Sequence, residues 1–131
     1  MGLIAPRKIE SILPIDLANR ISRHVLSTGF RYGHRSTQSM GYAHWSRDYG
    51  GGTVENGLDI SESLSPLMTQ AWSHLQKNVG AGMTLLRCYA NAHTFGTEGY
   101  PHTDSERNGD LTVVIYLNQN WRREWGGETV I

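Results

Sequence analysis

The triplet His102-Thr103-Asp104 sets an imidazole and a carboxylate two residues apart. In an extended segment side chains alternate with a period of two, so both groups project to one side of the backbone and can reach a single metal ion. The spacing alone says little: six His and five Asp scattered through 131 residues give a His-x-Asp about 0.2 times per chain. The usual fate of such a pair is a loop Asp capping a turn and a half-buried His bonded to backbone. The surroundings favour the metal. The triplet follows Gly99-Tyr100-Pro101, precedes the β-branched run Thr112-Val113-Val114-Ile115-Tyr116-Leu117-Asn118, and leads on to Trp125-Gly126-Gly127-Glu128-Thr129.

Two His and one carboxylate on one face of Fe(II) leave the other coordination positions open, and this is how non-haem iron oxygenases hold their metal. The ordered blocks Arg87-Cys88-Tyr89, Gly99 to Asp104, Thr112 to Asn118 and Gly126 to Thr129 resemble the prolyl-hydroxylase-like branch of the 2-oxoglutarate- and Fe(II)-dependent dioxygenases. The resemblance spans Thr84 to Ile131. It implies that His102 and Asp104 are the first two iron ligands and the catalytic pair. It also implies that Tyr89 faces the cosubstrate pocket and that the Tyr116 hydroxyl meets the far carboxylate of 2-oxoglutarate. A phenol suits such places, because its ring packs into an apolar wall while its hydroxyl makes one charge-assisted hydrogen bond.

The implied activity is that of a hydroxylase. 2-Oxoglutarate and O2 would be consumed at Fe(II), yielding succinate, carbon dioxide and a hydroxylated C–H bond, with ascorbate dependence by family analogy. The protein's part in such chemistry is positioning and dry enclosure. Prolyl or other peptidyl side chains, a free amino acid or a small metabolite are the substrates to expect, since specificity lies in loops.

The chain also departs from this family. There the third ligand is a second His, several strands beyond the Gly-Gly block, and a later Arg or Lys pairs with the 2-oxoglutarate carboxylate. No His follows His102 in this sequence, and Arg122 and Arg123 precede Gly126-Gly127. The pattern is therefore expected to be the front part of a catalytic domain. Two rivals follow: a non-catalytic truncated jelly roll that binds a partner, or an inactive fragment.

The elements that must position these residues follow from periodicity. From Pro14 to Thr28, Leu17, Ala18, Ile21 and Val25 recur at helical spacing, and Gly29 is a good stop. Ser65-Pro66 is an N-cap followed by proline at the first helical position, and Leu67, Met68, Ala71, Trp72, Leu75 and Val79 form a second apolar face before Gly80. Tyr32 to Trp45 alternates weakly and suits one or two strands; Thr84 to Ala90, Leu111 to Asn118 and Glu128 to Ile131 read as strands. His93 is expected in a loop, and His24, His34, His44 and His74 lack ligand spacing to one another.

The fold class expected is α+β within one domain, 1–131, in which helices brace one face of an antiparallel sheet. Residues 1–83 would form the helical support, and 84–131 the start of a double-stranded β-helix, or jelly roll, as the resemblance implies. So few strands leave edges and apolar faces uncovered, which predicts low stability or association through those edges.

Composition narrows the classes. Twelve basic residues balance twelve acidic ones, which supplies no electrostatic argument for nucleic acid or an anionic membrane surface. The lone Cys88 excludes an internal disulfide framework, favours a reducing cytoplasm, and suits a small buried filler. No apolar run approaches the roughly 20 residues of a spanning helix, and the start lacks a signal-peptide core. Neither a nucleophile elbow nor a phosphate-cradling Gly-Lys-Ser/Thr loop occurs.

Overall fold

Helix α1 (Ile15–Ser27) forms where the apolar residues recur at spacings of three and four, and it buries Leu17, Ile21 and Val25 together with Ser22. The architecture is that of a computed structural model, which describes residues 5–27, 29–37 and 41–130. The chain start at 1–4, Thr28, residues 38–40 within the stretch read as one or two strands, and Ile131 lie outside the described residues. Helix α2 (Pro66–Asn78) begins as expected: Ser65 Oγ accepts from Met68 N at 3.4 Å, and Pro66 takes a first-turn position where its missing N–H costs nothing. Its last turn closes on Val79 and Gly80, whose amides both donate to Leu75 O.

The two helices meet over a core of Leu13, Leu17, Ile21, Val25, Leu64, Met68 and Ala71, against which Leu67, Trp72, Leu85, Cys88 and Leu117 pack partly buried. Each large aliphatic side chain withdrawn from water there contributes about 1.5–3 kcal/mol. Burial, and then the Asp48 carboxylate, push the Cys88 thiol above its ordinary range. Its partly buried place against the core is that of a small filler.

Strands β1 (Arg31–His34), β2 (His44–Asp48) and β3 (Tyr89–Ala92) form one antiparallel sheet with β2 in the middle. Two helices and this sheet make an α+β arrangement. No helix among the described residues is long and apolar enough to cross a membrane.

Two expectations need correction. The strand placed at Thr84 to Ala90 pairs only from Tyr89, and residues before it bond to loops instead: Ile60 N donates to Leu85 O at 2.9 Å and Tyr49 N to Cys88 O at 2.8 Å. Leu111 to Asn118 pairs with no strand among the described residues, and 128–130 are irregular. The end of the β-branched run meets α1 instead, where Ser22 Oγ donates to Leu117 O at 2.9 Å and, just beyond it, Gln119 Nε2 to Asn19 Oδ1 at 3.3 Å. β-Propensity expresses fit to a pleated, half-buried surface rather than a backbone preference, so without a neighbouring strand it produces no ladder.

Candidate metal centre

Short loops carry the His-x-Asp pair, and one backbone contact orients it. His102 Nδ1 lies 2.8 Å from Tyr100 O. A carbonyl oxygen only accepts, so Nδ1 is the donor of this bond and Nε2 is the ring nitrogen turned away from it. This is the arrangement by which a protein fixes the tautomer and ring direction of a metal-binding His. Nε2 then faces Asp104 Oδ1 at 3.5 Å, with both side chains 30 % exposed. Ligand atoms each about 2.1 Å from one ion sit at most about 4.2 Å apart, so the two atoms fit one coordination sphere.

The pair opens on a cleft of about 130 Å³ lined also by His34, Arg35, Arg87 and Tyr89. Two elements aim these groups. Tyr89 starts β3 opposite Asp48 of β2, and Arg87 precedes it in the segment clasped by the Tyr49 and Ile60 amides. Gly52 makes that clasp possible, because a Cβ there would stand 2.0 Å from Leu86 O. The Arg87 guanidinium lies 5.3 Å from the centroid of the Tyr89 ring. Burial raises the Tyr89 pKa; Arg87 opposes this and Asp104 adds to it. The phenol therefore stays protonated at neutral pH and is a hydrogen-bond donor.

No protein-family model, curated protein or solved structure matches this chain. The site has to be read from its own geometry. Of the four residues singled out in the sequence, His102, Asp104 and Tyr89 come together in the cleft. Tyr116 lies outside its lining: it is 64 % exposed and its hydroxyl donates to Thr129 Oγ1. Among the described residues no set of three or more His, Cys, Asp or Glu is arranged around one ion. His102 and Asp104 together supply two donors there.

Sequence spacing missed a row of imidazoles beside the pair. His44 is 2 % exposed, stacks on His93 with centroids 4.5 Å apart, and meets His34 edge-on at 5.0 Å. His93 follows β3 in a loop, as expected, but its stacking was not legible. The β2–β3 register, with Trp45 opposite Ala92, brings His93 to His44, and a bulge in β1 brings His34. Gly33, at φ 118°, is an extra residue between the pairs Tyr32↔Trp45 and His34↔His44, so His34 rather than Gly33 stands beside His44. A Gly between Tyr32 and His34 was the signal available.

A larger hollow of about 440 Å³, lined by Gly57, Thr84, Arg107 and Asp110 among others, lies apart from this chemistry. Its charges satisfy each other. Arg107 Nε sits 3.2 Å from Asp110 Oδ2, to which Ser105 Oγ also donates at 2.6 Å.

Proposed function

We propose that this chain carries the first two iron ligands, His102 and Asp104, of a 2-oxoglutarate- and Fe(II)-dependent dioxygenase that hydroxylates peptidyl or free amino-acid side chains. The observation that supports this best is the pairing of Nε2 and Oδ1 at 3.5 Å, with Nδ1 already committed to Tyr100 O. In this reading β3 and the residues after it belong to the start of a double-stranded β-helix. Fe(II) with 2-oxoglutarate, when bound, supplies the oxidising power for C–H hydroxylation. The chain's own residues do the rest. Tyr100 O holds the His102 ring, Asp104 offsets part of the metal charge, and the protonated Tyr89 hydroxyl donates to an anionic oxygen in the cleft.

The test is metal binding read directly. Titration with Fe(II) under anaerobic conditions, or with Mn(II) followed by electron paramagnetic resonance, is expected to show one site that His102→Ala and Asp104→Ala each remove. Removing an orienting partner costs a metal site about 10- to 100-fold in affinity, and removing a ligand costs more. Both variants binding metal as the parent does would reject the assignment. Turnover of 2-oxoglutarate to succinate, lost in the same two variants, would extend it to activity.

A further inference from the structure

Two Asn-Gly bonds border the hollow of about 440 Å³ that lies apart from the metal pair: Gly57 of Asn56-Gly57 and Asn108 of Asn108-Gly109 both line it, together with Arg107 and Asp110. An Asn before Gly is open to attack by the next amide nitrogen on its side-chain carbonyl carbon, because Gly has no Cβ to block the approach. The two sites differ in how the Asn is held. Asn56 closes an Asx turn, its Oδ1 accepting from Leu58 N at 3.1 Å, while its own N donates to Thr53 Oγ1 at 3.3 Å. An Oδ1 bonded to the amide two residues on bends the side chain back along the chain, past the amide of Gly57. Cγ is thereby held towards that nitrogen, and the Leu58 N–H polarises the carbonyl where negative charge would develop. Gly57 itself takes φ 63°, which costs Gly little. Among the described residues no hydrogen bond holds the Asn108 side chain.

We propose that Asn56-Gly57 is a site of self-modification, an intramolecular deamidation that the Asx turn promotes and that sets a carboxylate beside Arg107. The Gly57 nitrogen gives up its proton and bonds to Asn56 Cγ, the Cγ–Nδ2 bond breaks, and the amide group takes up that proton and leaves as ammonia. Water then opens the cyclic imide at either carbonyl, giving aspartate or isoaspartate. Asparagine and water become aspartate and ammonia, so no oxidant or further reactant is required. A Cβ on Gly57 would stand 3.7 Å from Arg107 Nη1, which places the new carboxylate within reach of a guanidinium bonded through Nε to Asp110. The chain, whose basic and acidic residues balance, gains one negative charge. The inference is independent of the iron reading.

The test holds the full chain at mildly alkaline pH and samples it over days. Mass spectrometry of each Asn-Gly peptide reads the mass gain of amide-to-acid conversion, and an isoaspartate methyltransferase marks the rearranged product. In the folded chain, product is expected at Asn56 about 3- to 10-fold faster than at Asn108, the effect that one hydrogen bond has on a barrier. In urea the two rates should converge. Leu58→Pro removes the amide donor at an exposed position; it should slow Asn56 towards its rate in urea, while an unchanged rate at Asn108 and unchanged far-UV circular dichroism report an intact fold. Asn56→Asp reproduces the charge of the product and should raise the urea midpoint of the parent but not that of Arg107→Gln. No product at Asn56, a rate there no greater than in urea, or the same rate in Leu58→Pro overturns the proposal. An equal midpoint shift in both backgrounds overturns the pairing with Arg107.

Discussion

His44 and His93 stack at 4.5 Å with their rings 24° apart, and neither ring nitrogen of the buried His44 has a hydrogen-bond partner among the described residues. Desolvation, then the His93 and His34 rings, hold the His44 pKa below its ordinary value of 6.5; the Asn91 side chain opposes this and His102 adds slightly to it. Burial lowers the pKa of His93 as well. Protonation of His44 or of His93 therefore opposes the fold.

A His whose folded pKa lies below its unfolded one contributes stability that is complete above the unfolded value and is lost as pH falls through the folded one. The melting temperature is expected to be level above pH 7 and to fall as the pH drops below about 6.5. In His44→Leu, where a buried orphan costing about 1–3 kcal/mol is removed, the fall should be shallower and stability at pH 7.5 equal or higher. Identical pH profiles for parent and variant would contradict this account.

Gly52→Ala should destabilise by about 1–3 kcal/mol, because the new Cβ meets the Leu86 carbonyl oxygen, a backbone atom, at 2.0 Å. Gly29→Ala is the control, with nothing within 4 Å of its Cβ; a change within about 0.5 kcal/mol is expected. Urea denaturation of the two variants checks the contrast.

The helix pair should show the usual asymmetry of burial. Ile21→Ala, in the core at 4 % exposure, is expected to cost about 2–5 kcal/mol. Ile15→Ala, 72 % exposed in the first turn of α1, should be nearly neutral. Similar losses for the two would mean that α1 presents a different face.

Ser22→Ala removes the bond to Leu117 O and with it a tether spanning 95 residues. A loss of about 1 kcal/mol is expected, together with faster limited proteolysis within 111–118 than in the parent. Unchanged cleavage there would show that the segment is held by other contacts.

The segment also leaves apolar surface uncovered: Val114 is 61 % and Tyr116 64 % exposed, with no charge between Leu111 and Asn118. Such a run promotes association. Light scattering should show mass growing with concentration, and Val114→Lys should suppress the growth. Monodisperse monomer at every micromolar concentration tested would refute it.

The sequence by itself determined the two helices. Both are local: apolar residues three and four apart choose one helix face, and Ser65-Pro66 starts a helix without tertiary help. The tertiary structure decided what depends on partners distant in the chain. The bulge at Gly33 determines which residue of β1 stands beside His44, and the clasp of the Tyr49 and Ile60 amides carries Arg87 and Tyr89 to the cleft. Leu111 to Asn118 has strand composition but no strand beside it. Strand pairing is a property of two segments, and one segment's composition cannot supply the other.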